Sequence, residues 1–433
     1  MKNTAKGKSQ EQAGTVEREV VPMRLPGVAA LRAGLHALVV SAGLDVLGAM
    51  LERDRDELCG PRYRHDGERS AHRAGHVRGE LAMGGRRVAV RRPRVRTESG
   101  KEAPLPTWEQ LASDDPLHER AVEQMLVGVS TREYARSLEE VPEEVDTRGT
   151  SRSAVSRRFV QATQARVDEA LHSDLGSLAL AVLMIDGLVV DEHTMLIALG
   201  IDEHGNKHVL GMHEGATENE VSCKALLANL RDRRLTTSRA LLVVLDGGKA
   251  LHAAVRAVYG KRALIQRCQV HKVRNVIEHL PKQDRARVRA AMWAAYGSRS
   301  VERARRLLNA QANQLEVKHP SAAASLREGL EETLTVMDLG LDGTLVRTLS
   351  TTNPIENLNG LVRRRMRNVK RWRSGKMIER WLVAALDDVR QGFRRLRGYK
   401  QMPELLVALR DHEAKINQEG KVLDSRGPIQ EAA

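Results

Sequence analysis

Three acidic residues stand in backbone settings that would bring their carboxylates together. Asp186 closes the apolar run AVLMIDG, and Asp246 closes a second, LLVVLDGG. Glu356 lies in STTNPIENLNG, at the head of a helical pattern that runs into a dense basic stretch. The intervals are 60 residues (246 − 186) and 110 residues (356 − 246). Two carboxylates at strand ends and a third on a helix form a set of hard oxygen donors. Such a set suits two Mg²⁺ ions that must keep positions open for water and phosphate. The chemistry implied is phosphoryl transfer on DNA. Each residue alone has a duller explanation. An aspartate after a strand is ordinarily a turn residue. Glu356 falls three residues after Asn353, with Pro354 opening the helix, which fits a capping box with Asn in place of Ser or Thr. Only the three together point to metal binding, and as ligands their carboxylates are expected to converge to within roughly 4–8 Å.

The segments MIDG, LVVLDGG, QRCQVHKVRNV and STTNPIENLNGLVRRRMRNVKRW resemble the Mutator-type transposases of bacterial insertion sequences, within the wider DDE transposase group. The resemblance runs from about Leu25 to Leu396. It implies an α/β fold: an RNase H-like catalytic core with an all-helical insertion between Asp246 and Glu356, preceded by a mostly helical DNA-binding region. It matches Asp186, Asp246 and Glu356 to the catalytic, metal-binding triad. Cys268 and His271 match the family's Cys-x-x-His pair beside the active site, and Asn359 the Asn that follows the Glu. Two Mg²⁺ ions, replaceable by Mn²⁺, are implied as cofactors. The implied partners are double-stranded DNA, both terminal inverted repeats and target, and at least a second copy of the chain. The implied reaction is cleavage at the element's ends and joining of the freed 3′-OH to a target. A sequence-specific DNA-binding regulator would share the basic charge without needing the triad, and a structure-selective nuclease would cut without joining.

Composition agrees with a polyanionic partner. The 433 residues carry 70 Lys and Arg against 56 Asp and Glu, a formal charge of +14, so phosphates and the release of their counterions are expected to drive binding. Aromatic residues are only 3% of the chain, too few for a single-strand binder built on stacking. Duplex DNA is the expected ligand. Cys59, Cys223 and Cys268 are too scattered for a disulfide framework, which points to the cytoplasm and its nucleoid. Cys268 and His271 alone make half a zinc site. The apolar stretch 31–51 is broken by Arg32, His36 and Asp45, so it reads as an amphipathic helix rather than a membrane span, and no signal peptide precedes it.

The elements that would position these residues are legible as a series. Residues 1–24 are polar and read as a mobile tail. Residues 25–114 hold a helix and a basic hairpin about Gly84-Gly85, closing in a Pro-rich linker over 104–115. Residues 115–177 resemble a helix-turn-helix, with Ser130 capping its second helix. Ser151 then caps a recognition helix that presents Arg152, Ser153 and Arg157 to DNA. Residues 178–280 alternate as three antiparallel strands, helix, strand, helix and strand, the first part of the core. Helices fill 281–345, where Trp293 reads either as a core side chain or as a stacking surface for an unpaired nucleotide. Residues 346–400 complete the core, and 401–433 read as a tail. On the Glu356 helix, Ile355, Leu358, Val362, Met366 and Val369 form an apolar face. Arg363, Arg367 and Lys370 share the face of Glu356, and Arg364 and Arg371 crowd beside them with no acid before Glu379. DNA phosphates would relieve that repulsion.

Overall fold

The computed structural model describes residues 28–424 except 65–68, 70, 114–115, 140, 142–144, 216–218 and 342, and the tail expected over 1–24 lies outside the described residues. The chain divides into two units, residues 1–115 with 136–149, and residues 116–135 with 150–433.

In the first unit, helix α1 (Val28–Cys59) is followed by strands β1 (Ala71–Met83) and β2 (Arg86–Thr97). Gly84 and Gly85 have φ of +58° and +84°, a pair of left-handed residues that closes a two-residue turn with Met83 opposite Arg86. The hairpin expected here is present. Strand β3 (Glu102–Ala103) adds to β2 on one stretch, and β4 (Thr147–Arg148) on another. The expected linker is instead structured: α2 (Pro106–Ser113) starts there because Asp54 accepts from both the backbone N–H and the hydroxyl of Thr107, and Leu105 is buried with Leu47, Leu51 and Val95. Much of the hairpin's charge is neutralised internally. Arg92 and Arg94 share Glu102, and Arg78 pairs with Asp146.

The second unit begins with α3 (Leu117–Leu126) and α4 (Arg152–His172). Ser151 caps α4, its hydroxyl accepting from the Ala154 N–H, as expected. The helix expected after Ser130 does not form. Gly128 turns out of the helical region at φ +110°, the Ser130 hydroxyl bonds the Glu133 carboxylate, and only a 3₁₀ turn over Tyr134–Ser137 follows. Among the described residues, α3 and α4 are separated by this 3₁₀ turn and by the chain's passage through the first unit at 136–149.

A five-stranded sheet follows. Strands β5 (Leu180–Val190), β6 (His193–Asp202) and β7 (Lys207–Gly215) run as an antiparallel meander. Helix α5 (Glu220–Asp232) leads to β8 (Leu241–Leu245), and α6 (Lys249–Tyr259) to β9 (Ala263–Arg267). Strands β8 and β9 lie parallel to β5, giving the order β7-β6-β5-β8-β9. Both faces are apolar because both are covered. Leu183, Ile185, Leu241 and Val243 pack with α5 and α6. Val182, Met184, Leu242 and Val244 face the opposite layer, which includes α4.

Between β9 and the segment carrying Glu356 come α7 (Gln269–Glu278), α8 (Lys282–Tyr296), α9 (Val301–Glu316) and α10 (Pro320–Arg327), then the short α11 (Thr335–Asp338) and α12 (Gly343–Leu349). Helices α7 to α10 enclose their own core of Val276, Val288, Met292, Leu308, Leu315 and Leu326. Trp293 is not part of it: the ring is 39% exposed and touches Tyr296 edge-on. Helices α13 (Asn353–Met366) and α14 (Gly375–Gln391) return to the sheet. The stretch expected as a C-terminal tail contains α15 (Met402–Asp424), held down by buried Met402, Leu405 and Leu409. No helix among the described residues is long and apolar enough to cross a membrane.

Candidate active site

The pairing of β5 with β8 decides where two of the acids go. Met184 lies opposite Val244 in the parallel ladder, so Asp186 and Asp246, each two residues on, occupy matching positions. Side chains alternate along a strand, so both acids leave on the face of Met184 and Val244, the face that α13 covers through Leu358 and Val362. Asp246 does follow the end of its strand. Asp186 does not: β5 continues to Val190, because its partner β6 carries on and pairs Ile197 with Asp186. What stops before Asp186 is the ladder to β8. Each carboxylate is held by a nearby N–H, Asp186 from Gly187 at 2.9 Å and Asp246 from Gly248 at 2.8 Å.

Helix α13 contributes the remaining groups. Thr352, not Asn353, is its N-cap, and the capping box expected for Glu356 is absent. The Thr352 N–H goes to the Cys268 Sγ at 3.4 Å, and the Thr352 hydroxyl donates to Glu356 Oε1. The same hydroxyl lies 3.4 Å from His271 Nδ1 and 3.3 Å from Cys268 Sγ, so Thr352 joins the start of α7 to the start of α13 at a fully buried point. His271 Nδ1 stands 3.8 Å from Glu356 Oε1. One turn on, Asn359 is 1% exposed and donates Nδ2–H to Asp186 Oδ2 at 2.8 Å. Glu356 and Asn359, three apart on one helix face, therefore both point to the acids of the sheet.

Electrostatics fit a cation. Burial raises the Asp186 pKa most, followed by the neighbouring Asp246 charge; hydrogen bonds from Gly187 and Asn359 oppose this, and Glu356 adds to the rise. For Cys268, burial is the largest single influence and pushes the thiol up, yet hydrogen bonds with His271 and Thr352 together bring it below its ordinary value. The hydrogen bond to Cys268 raises His271 against the effect of burial, aided by the charges of Glu356 and Asp246. Asn359 Oδ1, on the amide that bonds Asp186, is buried with no hydrogen-bond partner among the described residues. Hard oxygens that repel one another, with an orphaned acceptor beside them, are a fit donor set for Mg²⁺ and its bound water. Ligand atoms of Cys268, His271 and Glu356 lie within 4.8 Å of one another. That is three groups, one short of the four in a closed structural zinc site.

Two cations that the sequence reading missed brace the site. Arg267, the last residue of β9, packs against Gly247, where an added Cβ would fall 2.2 Å from its Nε, and donates to the Glu328 carbonyl. Lys272, 1% exposed, donates to the carbonyls of Ser325 and Glu328. Arg267 ties the sheet's edge, and Lys272 the first turns of α7, to the C-terminal end of α10. The signal was present in QRCQVHK, where they flank the Cys-x-x-His pair. Of the residues expected to meet DNA, Arg152, Ser153 and Arg157 are exposed on α4, while Val155 and Arg158 turn inward. Arg363, Arg364, Arg367, Lys370 and Arg371 are exposed, but α13 ends at Met366, so Lys370 and Arg371 do not continue its face. Asn368 to Ser374 leave the helix, and the expected single row of cations is a helix face followed by an extended segment. Arg365 pairs with Asp388.

The sequence pattern of the family described as "Transposase, Mutator family" matches residues 34–395. The chain belongs to the Mutator family of transposases. Its relatives in that family include the transposase for insertion sequence element ISRM5 of Rhizobium meliloti (strain 1021), 28% identical over 74% of this chain and 79% of the relative. The transposase for insertion sequence element IS256 in transposon Tn4001 of Staphylococcus aureus is 26% identical over 79% and 88%. A probable transposase for an insertion sequence element of Corynebacterium diphtheriae is 32% identical over 44% and 54%. The matched span in this family member contains all three acids, Cys268, His271 and Asn359.

Proposed function

We propose that this protein is an insertion-sequence transposase that binds duplex DNA at the ends of its element, cuts a strand and transfers the freed 3′-OH to target DNA. The observation that carries the reading is the burial of Asp186 among Asp246 and Glu356, on the one face where Asn359 holds it. The strand order β7-β6-β5-β8-β9, with β6 alone antiparallel to both neighbours, supports an RNase H-like core, and helices α7 to α10 correspond to its insertion. Asp186, Asp246 and Glu356 would hold two Mg²⁺, or Mn²⁺ in their place. Bound there, the ions supply an activated oxygen nucleophile and charge stabilisation at the leaving oxygen.

The protein's own groups do the positioning. Asn359 fixes the orientation of Asp186, and Thr352 fixes that of Glu356 by donating to it. His271, whose pKa is raised chiefly by its hydrogen bond with Cys268, places a ring that is positive when protonated 3.8 Å from Glu356. There it limits the repulsion among the three acids before DNA arrives and can donate to a phosphate oxygen afterwards. Exposed Arg363, Arg364, Arg367, Lys370 and Arg371 hold the backbone, and Arg152, Ser153 and Arg157 meet the inverted repeats. Two DNA ends have to be brought together, which calls for at least a dimer. Labelled duplexes carrying an element end, incubated with Mg²⁺ and a target duplex, test this. Cleavage and joining are expected, with Asp246→Asn binding the ends but doing neither. Cleavage without joining would make the protein a nuclease, and an active Asp246→Asn would remove the proposed centre.

A further inference from the structure

A second basic feature opens beside the candidate active site, on a part of α13 that the cation pattern in the sequence does not mark. Asn353 and Asn357, four apart on one helix face and adjacent to the face of Glu356, border a cavity of about 530 Å³. Its cations come from three other segments: Lys207 opens β7, Arg347 lies on α12 and Arg397 follows α14. No carboxylate lines it among the described residues. Elsewhere in this unit Arg166 is matched with Asp387, Arg267 with Glu328 and Arg365 with Asp388, and buried Arg233 is held by the carbonyls of Ser173 and Leu210. The Lys207 ammonium lies 5.9 Å from the Phe393 ring with no ion pair among the described residues, and burial holds its pKa below the ordinary value. Three cations converging from separate elements without a carboxylate in the lining repel one another unless an anion enters. Asn353, Asn357 and Thr348 supply the neutral hydrogen-bond donors with which phosphate and sugar oxygens are commonly held.

We propose that this cavity holds backbone phosphates of the same duplex that Arg363, Arg364 and Arg367 contact, beside the phosphate that Glu356 faces. The inference rests on the DNA-cutting reading above and extends it to residues that reading does not use. Helix α13 has 14 residues and is therefore about 21 Å long, the rise of about six base pairs. One duplex lying along it reaches both the cavity at its head and the arginines in its last turn. Arg364 lies seven residues after Asn357, on the same side of the helix, so the cavity and Arg364 share one side of α13.

The test uses the full-length protein and a duplex carrying an element end, with binding measured against salt. Arg347 and Arg397 are exposed, so their replacement does not disturb the core. The double variant Arg347→Ala/Arg397→Ala is expected to lower the slope of log K against log salt by about 1.8, which is 0.9 for each phosphate contact. Arg347→Lys/Arg397→Lys is expected to keep the wild-type slope, showing that charge and not folding is at issue. An unchanged slope in the alanine variant, with wild type binding and cutting normally, overturns the assignment and leaves the DNA-cutting reading intact. Unchanged binding to the end with loss only of joining to a separate target duplex assigns the cavity to target DNA and also overturns it. A wild-type protein that binds no duplex in a salt-dependent way removes both.

Discussion

Asn359→Ala isolates the contribution of one buried amide to the proposed metal centre. Its Nδ2–H donates to Asp186 Oδ2 at 2.8 Å, and the residue is 1% exposed, so water does not replace the bond when the amide is removed. A hydrogen bond to a charged group contributes about 1.5–3 kcal/mol, a factor of roughly 10 to 150 in affinity if it is needed to orient the ligand. Taking about 30-fold, a Mg²⁺ concentration 100 times the wild-type Kd stabilises wild type by about 2.7 kcal/mol but the variant by only about 0.9 kcal/mol. For a unit of this size the difference of about 1.8 kcal/mol corresponds to roughly 4 °C. The assay is the rise in Tm caused by Mg²⁺, measured for each protein against its own metal-free sample, so the cavity left by the mutation cancels. Cleavage should recover in the variant as Mg²⁺ is raised. An equal Mg²⁺-induced rise in Tm for both proteins would refute the reasoning, because it would mean that Asp186 binds no ion or needs no orienting partner.

Other outcomes follow from the same geometry. Asp186→Asn should abolish cleavage and yet raise the metal-free Tm at neutral pH, since it removes a buried charge whose pKa is pushed up by burial and by Asp246. The unfolded carboxyl ionises near 3.9 and the folded one higher, so the advantage should be absent in acid and grow as pH rises through the folded pKa; a variant Tm that gains nothing on wild type as pH rises would contradict it. Lys272, whose pKa burial lowers to about 8, binds its proton more weakly folded than unfolded. Wild type should therefore gain stability relative to Lys272→Met between about pH 8 and 10.4, checked by denaturant titration across that range. Gly247→Ala forces a side chain onto the Arg267 guanidinium at φ +106°, and should cost about 1–3 kcal/mol and displace Asp246; retention of full cleavage would show that the loop has slack. Arg365→Ala, which breaks the pair with Asp388, should lower stability while leaving the salt slope of DNA binding unchanged.

The sequence by itself determined most of the strands and helices around the sheet and marked the three acids as candidates. Strands β8 and β9 and helix α6 were readable almost to the residue, because short apolar runs between turn clusters and a 3.6-residue period are local signals. Ile355, Leu358, Val362 and Met366 were readable as a buried face for the same reason. Spacing could not tell that Asp186 lies inside a strand, since its place depends on how far β6 continues beside it. Nor could it tell that Glu356 is bonded by Thr352 instead of closing a capping box, because the groups that occupy Thr352 come from α7, more than 80 residues away. The segment after Ser130 carried helix signals that a glycine at φ +110° overrode. Arg267, Lys272 and the cavity of Lys207, Arg347 and Arg397 are likewise products of tertiary structure. A cation's partners are set by which segments meet, and charge along the chain records only how many cations there are, not which of them are left facing one another.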